Sequence, residues 1–264
     1  MKFTAKILPL VLASAALPLC AEWNIQAQPY LAWSGLEKGS DIFVSYGFKT
    51  KGDYSINVDT LMQVQDVDGA DHLAYTHAYS RIGIKSPVTY NLGSTWKFNW
   101  QFRYVIPTTA GAQADGSYGT VSVRPTFTAS FGSFLNLSLR TIVGLDLQRE
   151  GYQVNPVGSG VPAKGTRLFV LAQEVIPEFV LDEGLTFTPY VAVSYGYVMA
   201  PPHGSKKSSN AVLFNPELSK QISSIEGLSV SLWYEEEAPF GTDKDLEMFQ
   251  TEQIRYGMGV GYSF

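Results

Sequence analysis

Cysteine is nearly missing from this chain. Its 264 residues hold one, Cys20, inside an apolar N-terminal stretch. With that stretch taken as a cleaved leader, no disulfide or thiol chemistry is left to the remainder. Histidine is scarce as well, at three residues. Charged residues make up 16% of the chain and the net charge is −5, two units more negative once Lys2 and Lys6 leave with the leader. A nucleic-acid partner would call for a basic face, so that class is set aside. No run approaches the roughly 18 apolar residues that a membrane helix needs. What is plentiful is aromatic residues, at 13%, and glycine, at 24 residues. A soluble secreted β-sandwich and a barrel with a wet interior both tolerate such values, so the order of the residues has to decide.

The two ends are informative. Lys2 and Lys6 flank an apolar run over 7–19 that is too short to span a bilayer. This pattern predicts a secretory signal peptide over 1–21, leaving 22–264 as a single domain. Leu19 stands before Cys20, where a lipidation motif wants a small residue, which argues against a lipid anchor. At the other end Tyr256, Met258, Val260, Tyr262 and Phe264 alternate with Gly257, Gly259, Gly261 and Ser263. Period-two alternation describes a strand with one greasy and one small or polar face. Ending in a terminal aromatic, it resembles the C-terminal insertion signal of bacterial outer-membrane β-barrel proteins.

Between the ends lie about a dozen alternating segments of strand length. They fall near 23–34, 41–49, 53–65, 72–85, 94–106, 117–130, 134–147, 166–179, 185–199, 210–222, 227–236 and 249–264. In the fifth, Trp96, Phe98, Trp100, Phe102 and Tyr104 alternate with Lys97, Asn99, Gln101 and Arg103. Tight connections at 49–53, 131–133, 180–184 and 223–227 alternate with longer polar loops at 35–40, 66–71, 107–116, 148–165, 200–209 and 237–245. Short turns on one side and long loops on the other predict an all-β fold: a single antiparallel up-and-down transmembrane barrel. Twelve strands fit best, with ten or fourteen as the alternatives. Pro29, Pro125, Pro177, Pro189 and Pro216 fall within the segments, and each removes a ladder hydrogen bond. Three of them are expected near turn ends, and Pro29 and Pro125 at bulges.

Charge fixes which way the side chains face, because Arg or Lys at the lipid midplane costs ~2–4 kcal/mol. In the fourth segment Tyr75, His77, Tyr79, Arg81 and Lys85 share one parity, and Ala74, Ala78, Ile82 and Ile84 the other. The charged set is expected in the lumen. The same test turns Lys97, Arg103, Arg124, Arg140 and Arg255 inward, with the acids Asp59, Asp146, Glu174, Glu178, Glu217 and Glu235. The cations gather in segments four to seven and the acids in eight to eleven. One wall of the lumen should be basic and the facing wall acidic, a transverse field that biases ion passage. Tyr75 and Tyr79 are candidates to stack against a solute beside Arg81. The competing arrangement is one in which the charges pair across the lumen and plug it.

Strand number, loop pattern and the row Arg81, Arg103, Arg124, Arg140 resemble the small twelve-stranded porins for acidic oligosaccharides, the oligogalacturonate and sialic-acid channels. The resemblance implies an outer-membrane channel for small hydrophilic, anionic solutes in a diderm bacterium. The acidic strip departs from a purely basic track, and no family-specific motif matches. Two other readings stand beside it: a non-conducting barrel with a surface-interaction or envelope role, and a barrel-embedded enzyme acting on lipid. For the enzyme, His72 and His77 differ in parity, and Ser80 lies on the face opposite His77, so no Ser–His pair forms. Gly257 to Gly261 has no helix after it, and the loop around Lys164 lacks phosphate-loop order. No cofactor is expected. Asp66, Asp68 and Asp71 cluster as hard oxygen ligands for Ca²⁺, but without the order of an EF-hand. The partners implied are outer-membrane lipid and lipopolysaccharide, the barrel-assembly machinery through the last strand, and small solutes.

Overall fold

The computed structural model describes residues 21–32, 37–50, 52–67, 73–87, 90–92, 95–107, 117–148, 153–154, 163–164, 167–199, 208–240 and 254–264. Twelve long strands carry the fold: β1 (Ala21–Ala32), β2 (Glu37–Lys49), β3 (Ser55–Val67), β4 (Leu73–Lys85), β5 (Trp96–Pro107) and β6 (Ser117–Phe131). The second half is β7 (Leu135–Gln148), β8 (Arg167–Asp182), β9 (Leu185–Met199), β10 (Ser208–Gln221), β11 (Leu228–Phe240) and β12 (Ile254–Ser263). Each pairs antiparallel with its neighbours in sequence, and β1 pairs β12, with Asn24 opposite Ser263 and Tyr30 opposite Gly257. That last ladder closes the barrel and leaves no edge. Three short segments decorate it: Tyr90–Leu92 beside the start of β5, and Gln153–Val154 paired with Ala163–Lys164 within the loop after β7.

Alternation along each strand does the sorting. Ile82, Ile84, Phe102, Val123, Val143, Leu171, Leu232 and Met258 face outward with more than a third of their surface open. Their neighbours Arg81, Gly83, Arg103, Arg124 and Gly144 point the other way. A soluble sheet would bury the apolar face; this one offers it to the surroundings, which is the inversion required by lipid. Rings collect at both rims of that apolar band. At the turn rim Trp23 and Tyr46 stand 4.6 Å apart, Phe98 and Phe127 5.0 Å, and Tyr262 and Phe264 5.7 Å. At the loop rim Tyr195 meets Phe240 at 5.8 Å. Such girdles place amphipathic or polarisable rings at the two membrane interfaces.

Several details differ from the sequence expectation. Pro29 and Pro125 do not mark bulges: the register of β1 on β12 and of β6 on β7 runs straight past them, with only local ladder pairs missing. Pro177, Pro189 and Pro216 stand opposite one another, or in line, across β8, β9 and β10. Concentrating three missing N–H groups at one height confines the interruption to one patch of wall. The register shifts lie elsewhere, at Leu61/Met62, Ser117/Gly119 and Val180/Asp182. β3 runs on through Asp66 and Val67, and β11 through Glu237 to Phe240, stretches expected as loop.

The turn rim supplies a test of tight chain reversal. Gly132 and Gly227 both take positive φ, 63° and 80°. A Cβ on Gly132 would meet nothing within 4 Å, whereas one on Gly227 would collide with the backbone carbonyl of Ser263. Gly132→Ala should therefore cost only the left-handed penalty of about 1–2 kcal/mol. Gly227→Ala must also displace β12, so its loss in guanidinium unfolding of the detergent-solubilised barrel should be clearly larger.

Candidate functional site

The barrel brings four arginines into a row across four adjacent strands. Arg81 on β4 sits opposite Val105, Arg103 on β5 opposite Gly83 and Ser122, Arg124 on β6 opposite Gln101, and Arg140 on β7 opposite Thr126. The two ends of the row are neutralised. Arg81 Nε donates to Asp59 Oδ2 at 2.7 Å, from the register-opposed position on β3. Arg140 Nε donates to Glu174 Oε2, from the register-opposed position on β8, and Tyr190 Oη donates to the other oxygen of Glu174 at 2.7 Å. Both pairs join neighbouring strands, not opposite sides of the lumen.

The middle of the row is different. An Arg103 Nη donates to Gln101 Oε1 at 3.1 Å, and Arg124 Nε to Ser122 Oγ at 3.4 Å. Neither has a carboxylate partner among the described residues, and the buried Nε of Arg103 has no hydrogen-bond partner. Arg103 lies within the fields of Arg124, Arg81, Asp59 and Arg140, and Arg124 within those of Arg140, Glu174 and Arg81. Positive charge is thus concentrated on two side chains that no carboxylate contacts directly among the described residues. A diffusing carboxylate would meet planar donors suited to bidentate contact. Lys97 follows at the turn end of β5, opposite Thr128 and largely exposed.

Across the lumen, β1, β2, β10, β11 and β12 build an acidic patch. Glu217, Glu235 and Asp41 surround Arg255 at a recess of about 100 Å³. Asn215 Nδ2 donates to Glu235 at 3.2 Å and Gln63 Nε2 to Asp41 at 3.0 Å. The Arg255 guanidinium stands 5.3 Å from the centre of the Tyr30 ring, a cation–π contact. Glu178 lies apart, on β8 near the turns, where it accepts from Asn136 Nδ2 at 3.0 Å. Tyr190, Tyr30, Asp41 and Trp233 were missing from the residues singled out by sequence. Parity alone could have placed Tyr190 and Trp233 inward, but nothing in the sequence pairs Asp41 in the second segment with Arg255 in the last.

The unbroken alternation expected along the fourth segment does not hold. The register shift at Leu61/Met62 puts Tyr79 opposite Leu61 but Tyr75 opposite Val64. The extra residue lies in β4 between His77 and Tyr79, so the count of alternate positions along the backbone does not run unbroken from Tyr75 to Arg81. Asp66 belongs to β3, opposite Lys38 and Leu73; Asp68, Asp71, His72 and His203 lie outside the described residues. Among the described residues no group of His, Cys, Asp or Glu is arranged to hold a metal ion. Tyr256, Met258, Val260, Tyr262 and Phe264 all face outward, 37% to 61% exposed. Glu236 is the exception to the charge rule: it has outward parity, but it is fully buried and accepts from Tyr234 Oη at 3.0 Å.

No protein-family model and no curated protein matches the sequence. Solved structures do match the fold. The NanC porin superposes with a TM-score of 0.56 at 8% identity, covering 90% of this chain and 98% of that one. The KdgM porin in complex with disordered oligogalacturonate gives 0.49 at 9% identity, covering 91% and 99%. The chain therefore has the architecture of the small twelve-stranded porins, and at these identities the likeness speaks for the fold alone.

The lumen network predicts unequal costs at the two ends of the arginine row. The Glu174 side chain is 7% exposed and serves two donors, while that of Asp59 is 18% exposed and serves Arg81. Glu174→Ala should cost about 2 kcal/mol and Tyr190→Phe about 1 kcal/mol. Asp59→Ala should cost no more than about 1 kcal/mol. Equal losses for Glu174→Ala and Asp59→Ala in denaturant unfolding would contradict this ranking.

Proposed function

We propose that the protein is an outer-membrane channel for the passive diffusion of small hydrophilic, anionic solutes. The observation that carries this reading is the pair Arg103 and Arg124, two lumen-facing guanidiniums without a carboxylate partner among the described residues, flanked by two that are neutralised. A plugged barrel would be expected to spend such charges on internal pairs, because an uncompensated cation is costly wherever water is scarce. Leaving two open favours a wet path that attracts anions. The proposed path runs between this wall, with Tyr79 and Lys97 at its margins, and the acidic patch of Glu217 and Glu235, with Glu174 and Glu178 along β8. No catalytic step belongs to this reading. In the cell the leader over 1–21 would direct export from the cytoplasm of a diderm bacterium. The alternating last strand would engage the assembly machinery, and outer-membrane lipid and lipopolysaccharide would surround the apolar band.

Planar-bilayer recording in a salt gradient tests the proposal. The protein should open discrete channels with a reversal potential on the anion-selective side. Arg103→Glu with Arg124→Glu should move that potential toward cation selectivity by tens of millivolts, since replacing two cations by two anions inverts the local field. A barrel that never conducts, or a reversal potential indifferent to both substitutions, would remove these arginines from any solute path.

A further inference from the structure

The recess on the acidic wall has unmet bonding capacity. Its volume of about 100 Å³ is several times the ~10–15 Å³ that one water requires on the same measure. The head of a small organic molecule fits there. Three carboxylates, Asp41, Glu217 and Glu235, face one cation, Arg255. Asp41 and Glu235 each accept from a neutral amide. Glu217 has no hydrogen bond or ion pair among the described residues. Trp233 lines the same recess, and its indole Nε1 is buried without a partner. Among the described residues the surplus charge is negative, and Glu217 is an acceptor without a donor; the indole N–H, itself a donor, is not what a cation would satisfy.

The geometry also narrows the class of occupant. A divalent metal wants six or more oxygens converging at about 2.0–2.6 Å, and the described carboxylates do not converge in that way. An ammonium group tolerates splayed acceptors, since it offers three donors in different directions at about 2.7–2.9 Å. Aromatic faces suit it too. Arg255 already rests 5.3 Å from the Tyr30 ring centre, and Trp233 lies 6.5 Å from Tyr30, so a cation on a π face is realised within this recess. We propose that the recess binds the primary ammonium group of a small organic cation. Glu217 and Glu235 accept its N–H groups, and Trp233 flanks the carbon that bears it. This site needs a folded barrel and does not depend on conduction.

Putrescine, butane-1,4-diammonium, is the probe. Titrated calorimetrically into the detergent-solubilised protein at fixed ionic strength, it should bind saturably. Glu217→Gln should weaken that binding at least tenfold, and Asp41→Asn should weaken it as well. Glu226→Gln, the same charge change in the exposed turn before β11, should leave it within twofold. Glu217→Gln deletes no hydrogen bond seen among the described residues, and an unchanged heat-dependent gel shift would verify its fold. Non-saturable heats, or equal weakening by Glu217→Gln and Glu226→Gln, would overturn the site as general charge attraction. Saturable binding at Glu217 in a barrel that passes no current would defeat the channel reading and leave the recess standing. Current without such binding would do the reverse.

Discussion

Hydrogen bonding of the backbone in a medium that offers no partners is the constraint on which everything else here rests. Inside hydrocarbon each N–H and C=O must find its match within the protein, and a sheet does so only if it has no edge. The β1–β12 ladder meets that demand, with Ile25 on Tyr262 and Tyr30 on Gly257. Close approach there needs a small residue: a Cβ on Gly257 would collide with the Pro29 carbonyl, while one on Gly259 would meet the Ser231 hydroxyl on the β11 side of the strand. The glycines of the last strand thus serve closure on the lumen side, while Tyr256, Met258 and Val260 serve lipid on the other. Proline fits the same logic. Aligning Pro177, Pro189 and Pro216 gathers the missing donors into one patch and spares the rest of the wall.

Once the exterior has to be apolar, the interior receives nearly every charge, and strand order decides who meets whom. An up-and-down barrel makes neighbours in sequence neighbours in space. A run of cationic segments therefore becomes a cationic wall. Its ends touch the acidic segments on either side, and there the pairs form: Asp59 with Arg81, Glu174 with Arg140. The interior of the run has no carboxylate in direct contact with it among the described residues. Arg103 and Arg124 are left to amide and hydroxyl acceptors because of where they fall in the order, not through any special local motif. Removing Glu174 is more costly than removing Asp59 for the same reason: it closes the row and also anchors Tyr190.

This is why much of the architecture was legible in the sequence and the fine structure of the site was not. Period-two alternation and the cost of charge in lipid are local and strong, so strand number, the outward set at 256–264 and the inward arginines followed from inspection. Parity counting fails wherever one extra residue enters a strand. In β4 the shift at Leu61/Met62 places an extra residue between His77 and Tyr79, and no residue type announces it. Pro125 misled in the opposite sense: it suggested a bulge where the register runs straight. Pairing between distant segments is harder still. Asp41 meets Arg255 only because β1 intervenes between β2 and β12, and that adjacency exists only once the barrel has closed.

Two walls of opposite sign then have a consequence that neither has alone. A field directed across the lumen does little to a neutral solute, but it orients any molecule that carries separated charges. On the basic wall Arg103 and Arg124 offer planar guanidiniums that no carboxylate contacts among the described residues; the acidic recess offers Glu217, likewise unpaired among them, beside aromatic faces. A solute bearing an anionic group and an ammonium could satisfy both at once, each end replacing part of its hydration by a fixed protein group of opposite sign. Anions lacking the second charge would engage only Arg103 and Arg124, and would pass the recess against its surplus negative charge. Selectivity in such a lumen depends on how charge is spaced along the solute as much as on its net value. In this barrel that spacing is set by which strands the closure ladder makes adjacent.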